Sequence, residues 1–252
     1  MQEIPLTGGN VTAGVVRVGD TVRRPTGAWT PAVHALLRHL EAAGFEGAPR
    51  ALGRDDHGRE ILTYAEGQAA WPWDAFAPLQ SDEGLAAVAQ LIDRYHRAVA
   101  DFVPPPDAAW SDIAPRNGAD LICHNDFAPW NLILGPDGAL TFIDWDLAAP
   151  GTRLSDLAYA ARGFVPLIPD PPYAVPYARR LALLAEIWRL DPTEFIDAIV
   201  WRAEADFAGL RRRAEASVEP WRTMWNAGHG EANSKITRFI VENAARWQGE
   251  LA

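Results

Sequence analysis

His124, Asp126 and Asn131 fall in one short segment, Cys123-His124-Asn125-Asp126-Phe127-Ala128-Pro129-Trp130-Asn131, and Asp144 of Ile143-Asp144-Trp145-Asp146 lies thirteen residues past Asn131. An aspartate after a strand, an asparagine five residues on across a tight loop, and an aspartate delivered by a hairpin would bring three oxygen donors to one place. Hard oxygens suit Mg2+, which binds through one or two carboxylates plus substrate phosphates. Phosphoryl transfer uses such a set: the first aspartate accepts the proton of the attacking hydroxyl, and the asparagine and later aspartate hold the metal. Positioning and charge neutralisation then supply the rate, with little covalent work for the protein. The competing reading is loop capping, in which the three polar groups only satisfy a buried turn. Three such groups seldom converge for capping alone.

The elements that must hold these residues can be read on either side of them. Val11 to Val18 and Thr21 to Arg24 predict two strands around the turn Gly19-Asp20. Thr30-Pro31 opens a helix with threonine at the cap, apolar positions Val33, Leu36, Leu37 and Leu40, and Gly44 at its end. Ala48 to Leu52 and Glu60 to Tyr64 predict two more strands joined by a polar turn. Beyond them the pattern becomes helical. Ser81-Asp82-Glu83 caps a helix with the stripe Leu85, Val88, Ile92, Tyr95, Val99 and Phe102. Leu121 to Cys123, Leu132 to Leu134 and Leu140 to Ile143 are short strands, the last two joined by Gly135-Pro136-Asp137-Gly138. Asp191-Pro192-Thr193-Glu194 starts a helix that runs past Leu210, and a last helix covers about Ser234 to Gln248.

Placed on these elements, His-Asn-Asp-Phe-Ala-Pro-Trp-Asn followed by Phe-Ile-Asp-Trp-Asp resembles the catalytic and metal loops of the aminoglycoside phosphotransferase and choline kinase-like family, relatives of protein kinases. The resemblance extends over nearly the whole chain, with Ala65-Glu66-Gly67 at the hinge and Pro150-Gly151 to Ser155-Asp156-Leu157-Ala158 after the metal loop. It implies an α+β, two-lobed protein kinase-like fold, with a small antiparallel β N-lobe over residues 1–65 and a mainly helical C-lobe over 66–252. By similarity Asp126 is the catalytic base and Asn131 and Asp144 are metal ligands. His124 and Asp156 brace the loop, and Asp146 is a second metal or water contact. The implied activity is Mg2+-dependent transfer of the γ-phosphoryl group of ATP or GTP to a hydroxyl of a small molecule. The alternative is a non-catalytic nucleotide-binding or toxin-immunity-type protein on the same fold.

The nucleotide side departs from the family pattern. Gly8 and Gly9, in Thr7 to Gly14, are expected to lie over phosphates with their backbone amides, although glycines in a hairpin are commonly just turn chemistry. Arg24 or Arg23 stands where the family has a lysine, and Arg24 is favoured because Val22 on the same face would form an apolar roof over the base. The helix that should offer a glutamate to that cation has Val33 and His34 instead, and a lone helical histidine is most often surface filler. Thr63 and Ala65, at the hinge, are expected to present a backbone carbonyl and an amide to a purine edge. On the acceptor side the candidates are Trp188, Trp201, Glu204 and Asp206, aromatic walls with carboxylates, against the commoner use of tryptophan as core.

Composition limits the partners. Net charge is −10, and residues 1–160 hold 21 acids against 11 bases while 161–252 hold 12 of each, which argues against nucleic acid. Lys235 is the only lysine, so arginine must serve wherever a cation is needed in the first half. Cys123 is alone, which excludes an internal disulfide and fits a reducing cytosol. No apolar run suggests a signal peptide or a membrane span, so a cytoplasmic monomer or homodimer acting on a small molecule is expected.

Overall fold

The computed structural model describes residues 2–6, 14–72, 75–115 and 117–251. The N-terminal part is an antiparallel sheet built from β1 (Ile4–Pro5), β2 (Val16–Val18), β3 (Thr21–Arg24), β4 (Ala51–Arg54) and β5 (Glu60–Thr63), in the order β1-β2-β3-β5-β4. One helix, α1 (Thr30–Ala42), packs on it with Val33, Leu36, Leu37 and Leu40 buried. Thr30 is the first helical residue rather than the cap, and its Oγ1 accepts from the Gly27 N–H at 2.9 Å instead.

After β6 (Gln68–Ala69) the chain becomes mainly helical. Ser81 caps α2 (Asp82–Ala98) by accepting from the Gly84 N–H. Strand β7 (Leu121–Cys123) is followed by β8 (Leu132–Leu134) and β9 (Leu140–Phe142), which form a small sheet with β6. β10 (Ala149–Gly151) returns to pair with β7. Helices α3 (Arg153–Phe164), α4 (Tyr177–Trp188), α5 (Pro192–Glu215), α6 (Trp221–Met224) and α7 (Gly230–Leu251) complete the chain. Asp191 caps α5 through Oδ1, as its sequence demands. α7 starts at Gly230, four residues before the expected Ser234, because a π-type turn over Trp225–His229 leads straight into it.

This is the expected α+β, kinase-like arrangement of an antiparallel N-terminal sheet over a helical C-terminal part. The core is continuous: Leu37, Leu62, Tyr95, Phe127, Phe142, Trp145, Leu157, Phe164 and Trp188 belong to one buried cluster. Among the described residues, no helix is long and apolar enough to cross a membrane.

Candidate active site

Strand pairing sets the loop. Cys123 lies opposite Ala149, so the chain leaving β7 meets the segment leaving β9 where the motif aspartates are. Asn125 turns the chain in the left-handed region, at φ 66°, a conformation asparagine tolerates better than most side chains. The turn is pinned by Asp156, in the first turn of α3, whose carboxylate accepts from the N–H groups of His124 at 3.2 Å and Asn125 at 2.8 Å. His96 adds a third bond to it at 2.9 Å. Burial pulls the Asp156 carboxyl up, but the His96 bond, the nearby imidazoles and the Asn125 amide outweigh it and hold it below the usual carboxylate range.

His124 is wedged between Phe127 and Trp145, with both ring centroids 4.4 Å away. Its Nδ1 accepts from the Asp126 N–H, so Nε2 carries the proton and donates to the Ile143 carbonyl at 3.2 Å. Burial pushes its pKa down to about 4, so it is a neutral side chain that ties the Asp126 segment to Ile143.

The Asp126 carboxylate accepts from Asn131 Nδ2 at 2.8 Å on Oδ2 and from the Tyr159 hydroxyl at 2.6 Å on Oδ1. Burial, joined by the neighbouring Asp144, raises its pKa to about 6 against the lowering effect of the Tyr159 and Asn131 bonds and of Arg202. Asp144 is held at φ 60°, in the left-handed region, immediately before the turn Trp145–Leu147. The structure therefore brings Asp126, Asn131 and Asp144 into one neighbourhood.

Arg24 reaches the same place from the sheet. Its Nη2 donates to Asp144 Oδ1 at 3.1 Å and to Asp146 Oδ2, and its Nε lies 3.1 Å from Glu60 Oε1. The β3–β5 register puts Arg24 directly opposite Glu60, and His34 of α1 meets the other Glu60 oxygen at 2.8 Å. The acidic partner expected from the helix thus comes from the neighbouring strand. His34 is buried at 5% exposure and braces that acid, so it is not the surface filler its isolation suggested. Asp146 is engaged by Arg24, and burial, before all other influences, raises its carboxyl to about 6.

A magnesium ion fits this donor set. Asn131 spends its amide nitrogen on Asp126, which leaves the amide oxygen as a donor, and the Asp144 side chain keeps 43% exposure despite Arg24. Glu60, Asp144 and Asp146 outnumber the Arg24 guanidinium they share, an excess of negative charge that a divalent cation would relieve. Among the described residues no three His, Cys, Asp or Glu side chains form a cage of their own.

The other sequence candidates scatter. Gly8 and Gly9 lie outside the described residues. Val22 is half-buried on β3 and paired with Leu62. Thr63 and Ala65 line a cavity of about 360 Å3 with Arg50, Glu66, Asp137 and Thr141, and none of the motif residues borders it. Trp188 is a core residue, 2% exposed, edge-on to Phe195 and donating its indole N–H to the Ala89 carbonyl, so it lines no pocket. Trp201 is half-buried and Glu204 exposed on α5. Asp206 is taken by two arginines, Arg162 at 2.6 Å and Arg202 at 2.9 Å. Three residues went unnoticed in the sequence: Glu60, Tyr159 and Arg202. Tyr159 was recoverable, because it lies three residues beyond Asp156 and so on the same helical face.

Residues 107–195 match the model of the phosphotransferase enzyme family, APH. A trifolitoxin immunity protein of Rhizobium leguminosarum bv. trifolii is 39% identical over 165 residues, which span 63% of this chain and only 60% of that relative's length. A choline/ethanolamine kinase family protein from Mesorhizobium loti shares the fold at a TM-score of 0.57 and 14% identity, over 96% of this chain and 89% of its own. An aminoglycoside phosphotransferase from Alicyclobacillus acidocaldarius does so at 0.50 and 14%, over 99% and 96%. Residues 107–195, which include Asp126, Asn131, Asp144 and α3, thus match the phosphotransferase enzyme family that the motifs resemble, and the fold is shared with the choline/ethanolamine kinase family protein and the aminoglycoside phosphotransferase.

Proposed function

We propose that the chain is a Mg2+-dependent phosphotransferase that moves the γ-phosphoryl group of ATP or GTP to a hydroxyl of a small molecule. The observation that carries this reading is the Asp126 carboxylate, fixed by Asn131 and Tyr159 beside Asp144. Asp126 accepts the proton of the acceptor hydroxyl as that oxygen attacks phosphorus. Asn131 and Asp144 are the residues that would hold the metal, whose chemistry is to neutralise charge on the phosphate oxygens. Arg24 supplies the cation that the family draws from lysine, and its planar fork spans more than one oxygen at a time. Asp156 and His124 keep the loop in register and take no proton.

A second reading is a binding protein that does not turn over, of the immunity type. The 39% identical relative favours it, as does Arg24, whose side chain is committed to Asp144 and Asp146. Melting temperature with ATP and with GTP, each with and without Mg2+, tests whether nucleotide binds, and nucleotide turnover in the same samples separates the two readings. At a nucleotide concentration a hundred times Kd, stabilisation of about 2.7 kcal/mol and a rise of about 5–10 °C are expected, and only with the metal present. Indifference to both nucleotides contradicts the phosphotransferase.

A further inference from the structure

Tyr159 lies on α3 one turn beyond Asp156, so the helix that pins the catalytic loop also delivers a phenol to its aspartate. The Tyr159 hydroxyl donates to Asp126 Oδ1 at 2.6 Å, while Oδ2 accepts from Asn131. The ring is held from behind by the Arg202 guanidinium, 4.6 Å from its centroid. Arg202 is 1% exposed and is itself fixed, donating to Asp206 at 2.9 Å and to the carbonyl of Asn125, the neighbour of Asp126, at 3.0 Å. Arg162 closes the cluster on the other Asp206 oxygen.

We propose that Tyr159, backed by Arg202, is a positioning residue that sets the plane of the Asp126 carboxylate for the attacking hydroxyl, an inference that rests on the phosphotransferase reading above. With one donor on each oxygen, the carboxylate cannot rotate about Cβ–Cγ without breaking both bonds. Its remaining lone pairs therefore keep fixed directions, and an acceptor hydroxyl meets an oriented base rather than a rotating one. No bond forms or breaks at Tyr159: the acceptor's proton goes to Asp126, and the phenol keeps its own. Arg202 sits on α5 with Trp201, Glu204 and Asp206. The helix carrying the acceptor candidates thus also supports the residue that aims the base.

Tyr159→Phe removes the hydroxyl and keeps the ring under Arg202. The readout is phosphate release from Mg-ATP and Mg-GTP with water as acceptor, measured beside Asp126→Ala, together with the melting temperature. A fall in kcat of roughly 10- to 100-fold is expected, with the nucleotide KM and the melting temperature unchanged. A wild-type kcat in Tyr159→Phe overturns the inference and leaves the phosphotransferase standing, provided that Asp126→Ala has lost turnover. A lowered melting temperature with kcat per folded molecule retained marks a merely structural tyrosine and overturns it too. Phosphate release that is absent from the wild type, or undiminished in Asp126→Ala, removes the phosphotransferase reading and the inference with it.

Discussion

Arg24 shows how one side chain can reorganise a site. Its guanidinium is nearly buried, at 8% side-chain exposure, among Glu60, Asp144 and Asp146. Burial works against its charge, but those carboxylates outweigh it and hold the group protonated. Arg24→Met leaves Glu60, whose side chain is 3% exposed, without its cation. A loss of about 3–5 kcal/mol in urea unfolding is expected, because breaking one side of a buried pair strands the other charge. Arg24→Lys keeps the charge but cannot span Glu60 and Asp146 together, so a smaller, measurable loss is expected. The spacing of Asp126, Asn131 and Asp144 is local and readable in the chain. The approach of Glu60 to Arg24 is not, because it depends on the register between β3 and β5, which the intervening helix and β4 separate in sequence.

Among the elements, α3 ties the loop to the helical part through Asp156. Its carboxyl is held below the ordinary value, so it contributes stability that is fully present above the unfolded-state value of about 4 and is lost as pH falls through the lower, folded one. Asp156→Asn is therefore expected to cost about 3–5 kcal/mol at pH 7, and the difference from wild type should shrink below about pH 4, as read by urea unfolding at both values. A difference independent of pH would show that the side chain acts only by shape. Helix starts were legible where a cap is a matter of neighbouring residues, as at Ser81 and Asp191. Trp188 was not, because an indole at helical spacing has the same pattern whether it faces a ligand or, as here, Ala89 and Phe195. An Asp191→Ala variant, losing a cap that serves two N–H groups, should be less stable by about 1 kcal/mol.

For the whole molecule, the sheet and the helical part meet at the charged cluster: Arg24 comes from β3, and Asp144 and Asp146 come from the segment after β9. The sequence suggested an α+β fold from the switch between strands and helical stripes, and an antiparallel N-terminal sheet followed by a helical C-terminal part agrees with that fold class. How the parts are tied was hidden, since the tie runs through ion pairs between distant residues. Three of the acids before residue 161, Glu60, Asp144 and Asp146, gather around Arg24. The most direct measurement is nucleotide turnover by wild type and Asp126→Ala, with circular dichroism and nucleotide affinity recorded on both. Turnover that needs Mg2+ and drops at least about 100-fold in Asp126→Ala, at unchanged fold and affinity, is expected. Equal turnover in the two proteins would contradict a base at Asp126.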